Sequence, residues 1–366
     1  MKILEIIPEL ASGGAERFVV DLCNELAKEH DVCLMIFNAN RDFFSDQLSD
    51  KINIVVLDKC NGFDFSLPYK MYKTIRSTRP DVIHTHLRAI LYLSVILYFL
   101  PPNIKCFHTI HSDADKEAGG FIGGTIRKFF FHHKLIIPVT ISNESAKTFR
   151  KYYGFNAPII YNGRNIPLNI PITSAVNNEI SDCKLSKDDK VLVCLARFND
   201  NKRQDMLARI ALRLDSEGYK FTLLMIGRKD DIIYPKVQKI NCRRVHVLGE
   251  RINPLEYLKA SDASCLCSLY EGLPISLIES MGMGSVPICT PVGGIVDVII
   301  DGQNGLLSEN VSEREYYNVL KKFLTMDQNE IKNIKTNAEL SCLPYMMTHC
   351  AANYVSLFTL TEYRNS

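Results

Sequence analysis

KILEIIPELASGGAERFVVDLCNELAKEHDVCLMIF, Lys2 to Phe37, decides the fold class. KILEII, Lys2 to Ile7, is an apolar run of strand length. ASGGAER follows, and its Gly13 and Gly14 mark a turn. Phe18, Leu22 and Leu26 then recur at helical spacing, as do Val19, Cys23 and Ala27. HDVCLMIF, His30 to Phe37, reads as a second strand. A strand, a glycine turn, a helix and another strand make one parallel βαβ unit.

The same alternation runs outward from this stretch. INIVVLD is a third strand, Tyr69 to Ser77 a helix, and DVIHTH, Asp81 to His86, another strand. AILYLSVILYFL, Ala89 to Leu100, reads as a buried helix and is too short to span a bilayer. A strand from Ile104 to Thr109, a basic helix and a strand near Leu135 to Thr140 complete the first half. From Asn156 to Lys190 the α/β pattern weakens and the chain holds three prolines and many asparagines, which is a linker composition. A second α/β series starts at KVLVCLARF and runs through FTLLMIG, RVHVLG, ASCLCSL, VPICT and GGIVDVII. Tyr354 to Tyr363 reads as a terminal helix that packs back across the linker. The expected fold is α/β, with two tandem Rossmann-like, doubly wound domains facing each other across a cleft. The boundaries are 1–165 for the acceptor-side domain, 166–189 for the linker, 190–345 for the nucleotide-sugar domain and 346–366 for the terminal segment.

Composition agrees with two ordinary domains. The chain has 366 residues, 46% apolar and 23% charged. A net charge of +2 argues against a nucleic-acid-binding stripe. The twelve cysteines show no CxxC pair and no zinc spacing, so they read as reduced thiols of a cytosolic protein. MKILEIIPEL lacks the apolar core of a signal peptide.

Open α/β sheets bind ligands beyond the carboxyl ends of their strands, so the strand-to-helix loops carry the candidate chemistry. LYEGLPISLIE, Leu269 to Glu279, places two acids eight positions apart. On one helix they would lie about 80° and 12 Å apart and could not grip one small group. With Glu271 on a loop and Glu279 on a helix, both could face one long ligand. Pro274 suits the first helical position, and Gly272 admits close backbone approach. Leu273 lies between them. The first-turn N–H groups near Ile275 and Ser276 could seat a phosphate. Carboxylates on either side of a phosphate suit a sugar and a ribose. A capping acid and a solvated helix acid would give the same local pattern. In LARFNDNKRQ, Arg197 and Lys202 flank the start of a helix and could clamp a diphosphate, or stand as two solvated cations. Gly13 and Gly14 form a phosphate-type turn or a plain one.

Histidines gather in the first half, at His84 and His86 in DVIHTH and at His108 and His111 in HTIHSD. His84 and His86 share one strand face. A metal held with Asp113 and Asp115 is one reading, and structural histidines are the other. His111, just past its strand, reads as a hydrogen-bond donor into the cleft.

Together these motifs resemble the family-4 retaining glycosyltransferases of the GT-B architecture, over nearly the whole chain. The resemblance implies that Glu271 holds donor-sugar hydroxyls and Glu279 the ribose. It implies that Arg197 and Lys202 bind the diphosphate, that Gly13 and Gly14 form the glycine loop, and that His111 lies near the transferred sugar. The segment around Gly249 matches the part that cups the base, and Asn162 and Gly163 the linker motif. Departures occur at Arg228 and Lys229, at Met283 and Gly284, and at Asp297, where the family often has Glu.

The implied function is retaining transfer of a sugar from a nucleotide diphosphate sugar, with UDP favoured, to a glycan or polyprenyl-linked acceptor in cell-surface polysaccharide synthesis. No metal and no cofactor are expected. Between Thr125 and Lys151 six cations accompany Phe129, Phe130 and Phe131, which suggests peripheral contact with anionic membrane on the cytoplasmic face. A helix with a buried aromatic face is the other reading. The rival functions are a non-catalytic sugar-nucleotide-binding subunit, an epimerase, or a phosphorylase on the same scaffold. No nucleic-acid partner is expected.

Overall fold

The computed structural model describes residues 1–39, 43–60, 62, 64–167 and 169–360. They form two units, Met1–Asn165 joined by the chain from Tyr345 onward, and Ile166–Pro344. The first holds strands β1 (Lys2–Ile7), β2 (Asp31–Ile36), β3 (Asn53–Val56), β4 (Val82–His86), β5 (Lys105–Ile110) and β6 (Ile137–Thr140), in the order β3-β2-β1-β4-β5-β6. The second holds β7 (Lys190–Leu195), β8 (Phe221–Ile226), β9 (Val245–Gly249), β10 (Ala263–Leu266), β11 (Val286–Cys289) and β12 (Leu306–Leu307), in the order β12-β11-β10-β7-β8-β9. Every named pairing is parallel. Read from its β9 edge, the second sheet repeats the first, and both follow the doubly wound order. The order reverses between β1 and β4 and again between β7 and β10. Helices cover both faces, which is why the central strands are buried along their length rather than at alternate residues.

The terminal helix, Met347–Thr359, belongs to the first unit and packs on the Gly14–Leu26 helix. Residues 361–363 of the expected helix lie outside the described residues. The turn before it meets the linker motif through Arg164, whose N–H donates to the Tyr345 carbonyl at 3.0 Å. Gly163 has no room for a Cβ, which would collide with Cys350 and the Met347 backbone. Arg164 reaches back to Asp21 at 2.6 Å, and Arg17 pairs with the same buried carboxylate. Asp21 therefore ties the linker motif to the first helix.

Four local expectations need correction. The stretch 166–189 is not all linker, because Ser174–Cys183 is a helix capped by the Thr173 hydroxyl. Its Val176 and Ile180 are buried one turn apart, a period that the surrounding prolines obscured. The apolar run from Ala89 is not wholly buried. Its helix ends at Ile96, and Val95, Tyr98 and Phe99 are exposed. Pro274 caps its helix rather than opening it, with Ile275 the first helical residue. In the basic helix, Gly120–His132, Arg127, Phe130 and Phe131 are buried and Phe129 is exposed. Arg127 turns inward because Glu117 neutralises it at 3.3 Å, and the Leu87 carbonyl accepts a second bond at 3.2 Å. No helix among the described residues is long and apolar enough to cross a membrane.

Candidate active site

In the second unit the loops after β7 and β10 flank the point where strand order reverses. The first carries Arg197 and Lys202, the second Glu271 and Gly272. The Lys202 ammonium pairs directly with the Glu271 carboxylate, and both side chains are largely buried. Asn201 joins the two loops from its side chain. Its Nδ2 donates to the Tyr270 carbonyl at 2.9 Å, and its Oδ1 accepts from the Tyr270 N–H at 3.0 Å. Its backbone carbonyl also accepts from the Leu269 N–H at 2.9 Å. Three bonds thus hold the Glu271 loop against the Lys202 loop. Arg197 is exposed at the strand end, and the buried Gln204 amide holds its carbonyl at 3.0 Å. Arg203 occupies the left-handed region at φ 54°, uncommon for a non-glycine residue and frequent at functional turns.

A third loop, after β11, closes on Glu271 from the other side. The Thr290 hydroxyl donates to the Ser268 carbonyl at 2.7 Å. The Gly294 N–H donates to the Gly272 carbonyl. Gly293 lies at φ 55°, and a Cβ there would collide with the Glu271 carbonyl oxygen. Glycine is required here both by conformation and by space. Glu279 is buried one turn inside the Ile275–Gly282 helix. Gly249 ends β9 at φ 78°, and its carbonyl accepts from the Gly227 N–H at 2.9 Å. Gly227 in turn lies so close to the Ala196 carbonyl that no Cβ fits. The positioning residues Asn201, Thr290, Gly227 and Gly293 escaped the sequence reading. For the pair in TPVGG, two adjacent glycines after an apolar strand were the available signal.

In the first unit Gly13 caps the Gly14–Leu26 helix in extended backbone. The space that a Cβ would need there is taken by the Glu16 carboxylate, so an acid lies against the glycine loop. His84, His86, His108 and His111 do come together. His84 Nδ1 lies 3.1 Å from Glu5 Oε1, and His86 Nε2 lies 2.8 Å from Glu5 Oε2. His86 Nδ1 lies 2.9 Å from His111 Nε2. On the opposite face of the sheet, His108 Nε2 meets Glu117 at 3.2 Å and its Nδ1 meets Thr85 at 3.0 Å. The His111 main-chain N–H donates to Glu117 Oε2 at 2.6 Å. Among the described residues the group able to hold a metal ion is Glu5, His84 and His86, not the histidines with Asp113 and Asp115. Its nitrogens and oxygens already satisfy one another at hydrogen-bond distances.

Burial pushes His108 and His111 down to about 4, and His86 well below the usual imidazole range. Burial by itself would raise the Glu5 carboxyl, but His84 and His86 outweigh it and hold it at about 2. Glu117 is likewise held at about 2, where burial is outweighed by His108 and Arg127.

Two family models match the chain. "Glycosyltransferase Family 4" covers residues 12–166, and "Glycosyl transferases group 1" covers residues 177–341. The chain is 26% identical to the GalNAc-alpha-(1->4)-GalNAc-alpha-(1->3)-diNAcBac-PP-undecaprenol alpha-1,4-N-acetyl-D-galactosaminyltransferase of Campylobacter jejuni, over all of both chains. It is 27% identical to the capsular polysaccharide biosynthesis glycosyltransferase CapH of Staphylococcus aureus, over 76% of this chain and 78% of that one. The solved structure of Anabaena HepE in complex with UDP and glucose superposes with a TM-score of 0.83 at 18% identity, over 98% of this chain and 100% of that one. Sucrose-phosphate synthase from Thermosynechococcus elongatus also superposes at 0.83, with 17% identity over 98% of each chain. At such identity these structures establish the shared fold of two Rossmann-like domains.

Proposed function

The chain belongs to the glycosyltransferases, family 4 in its first half and group 1 in its second, and from that premise we propose that it moves a sugar from a UDP-sugar to a lipid-linked glycan. The observation that carries this reading is the pairing of Lys202 with Glu271, with Arg197 at the same strand end. A cation against a carboxylate suits the junction of a diphosphate and a sugar. One side can neutralise phosphate while the other accepts hydrogen bonds from hydroxyls. As the bond from the anomeric carbon to the phosphate oxygen breaks, negative charge grows on the phosphate. Arg197, Lys202 and the N–H groups at Ile275 and Ser276 are the groups assigned to stabilise it, without a metal. Glu271 orients the sugar, and Glu279 holds the ribose. The acceptor oxygen bonds to the anomeric carbon on the face that the phosphate leaves, the phosphate takes the acceptor's proton, and the configuration is retained. The first unit is assigned the acceptor, with His111 as a hydroxyl partner.

The Campylobacter relative, named for an undecaprenol-linked substrate, supports a polyprenyl-linked acceptor here, and a hexose or acetylhexosamine as the sugar. Thermal unfolding with a panel of nucleotide diphosphates and their sugars tests the donor. A ligand at 100 times its Kd stabilises the fold by about 2.7 kcal/mol. UDP-sugars are expected to raise the melting temperature, and Lys202→Met to abolish most of that rise. A panel without any protective nucleotide, or a rise unchanged in Lys202→Met, would sink the assignment.

Such an acceptor brings the chain to a membrane surface. The exposed face of the Gly120–His132 helix carries Phe121, Ile122, Lys128 and Phe129, and Lys147, Arg150 and Lys151 are exposed on the Asn143–Tyr153 helix. Phe121 is 87% exposed and Ile122 75%, so they replace the buried Phe130 and Phe131 as the apolar contact. Cations beside exposed apolar groups favour anionic lipid. Co-sedimentation with phosphatidylglycerol vesicles is expected to exceed that with neutral vesicles, and to fall in the double variant Phe121→Ser, Ile122→Ser. Binding that stays flat as anionic lipid is added would remove the membrane contact.

A further inference from the structure

A continuous hydrogen-bonded chain crosses the first unit from its terminal helix to His111. The Tyr354 hydroxyl lies 2.7 Å from Thr109 Oγ1, which lies 2.7 Å from His84 Nε2. The chain passes through Glu5 to His86 and ends at His111 Nε2. Glu5, His84, His86, Thr109 and Tyr354 are wholly buried, so water does not supply alternative partners. Strand order builds this chain. β1 lies beside β4, so Glu5 pairs with His84, and β4 lies beside β5, so His86 pairs with Thr109.

Counting donors and acceptors assigns the protons. An ionised carboxylate only accepts, so His86 Nε2 must carry a hydrogen to face Glu5 Oε2. With burial holding His86 neutral, its Nδ1 is then a bare lone pair. That lone pair faces His111 Nε2, which must therefore be the protonated nitrogen of His111. His111 is also held neutral by burial, so its remaining nitrogen, Nδ1, is bare. Among the described residues that nitrogen has no protein partner. The alternative tautomer of His86 would set its lone pair against the Glu5 carboxylate in a dry site. The branch from Glu5 to His111 holds whatever the charge on His84. The other groups around His111 are Glu117 on its main-chain N–H and the Phe18 ring edge-on at 5.5 Å.

We propose that Glu5 is a positioning residue which, acting through His86, fixes the tautomer of His111, so that His111 offers Nδ1 as an acceptor to a substrate hydroxyl. This reverses the donor role that the sequence suggested for His111. The identity of the hydroxyl rests on the transferase reading above, whereas the tautomer does not. A hydroxyl that donates to Nδ1 is held by its O–H, which suits a sugar or acceptor hydroxyl other than the one that attacks, since the attacking hydroxyl gives its proton to the phosphate.

Nitrogen NMR of the full chain labelled with 15N-histidine reads the outcome directly, since two-bond couplings show which ring nitrogen bears hydrogen. His111 is expected to show the Nε2–H form at neutral pH, and so is His86. In Glu5→Gln the amide can offer His86 either an oxygen or an N–H, so the single Nε2–H pattern at His111 should be lost to a mixture or to Nδ1–H. A wild-type His111 protonated at Nδ1 would overturn the proposal without any variant. So would a Glu5→Gln chain whose His111 pattern matches wild type. Neither reading needs a donor or transfer activity, so the result stands apart from the UDP-sugar test.

Discussion

Glu271→Gln is expected to leave the chain folded and to lower kcat/KM by about 100-fold or more, the scale of losing one group that stabilises a transition state. Glu271 is 9% exposed, and its carboxylate meets Lys202 directly. Glutamine keeps the shape and one oxygen for the ammonium, so the loop has no reason to unfold. It removes the charge that orders the sugar hydroxyls and balances the positive charge growing on the ring. Lys202 remains partly accessible to water, which limits the cost of leaving it less well paired. Circular dichroism and the melting temperature report the fold, and a transfer assay with a UDP-sugar reports the role. Near-normal transfer from Glu271→Gln would remove Glu271 from the site.

Gly293→Ala should be nearly as damaging, although Gly293 contacts no substrate in the proposed scheme. A methyl group there falls on the Glu271 carbonyl, and alanine at φ 55° costs about 1–2 kcal/mol before any clash. Either the loop after β11 or the Glu271 loop must move. The Gly294 bond to the Gly272 carbonyl and the Asn201 clamp on Tyr270 leave the Glu271 loop little freedom to do so without loss. A displacement near 1 Å of a positioned group costs about 100-fold in rate. The expected result is a lowered melting temperature and a kcat reduced on that scale, with KM changed less. A Gly293→Ala protein with the wild-type kcat would show that Glu271 is not held from this side.

Both variants act on one arrangement that local sequence describes only in part. The division of EGLPISLIE into a loop acid and a helix acid was legible, because Gly272 and Pro274 mark where the strand run ends and the helix begins. So was the order of strands and helices, because short apolar runs and the helical period of 3.6 are properties of neighbouring residues. Asn201 was not legible, since an asparagine before Lys202 reads as one more turn residue until Tyr270 lies beside it. Arg127 was misplaced among the solvated cations for the same reason, and the facing of Phe130 and Phe131 stayed open between a membrane patch and a buried face. The inward turn of Arg127 depends on Glu117, which ends a different helix.

Glu5 is the clearest case. In the chain it is an acid within a short apolar strand. Its partners His84 and His86 stand 79 and 81 residues away, and the bond between Thr109 and Tyr354 spans 245. By itself the sequence determined two doubly wound α/β series, the loops that follow their strands, and which loop residues carry charge. Only the tertiary structure decided which of those charges meet, which histidine nitrogen keeps its proton, and which aromatics face outward. Secondary structure follows from interactions between near neighbours along the chain. Ion pairs and tautomers follow from which strands become adjacent in a sheet, and no local period encodes that order.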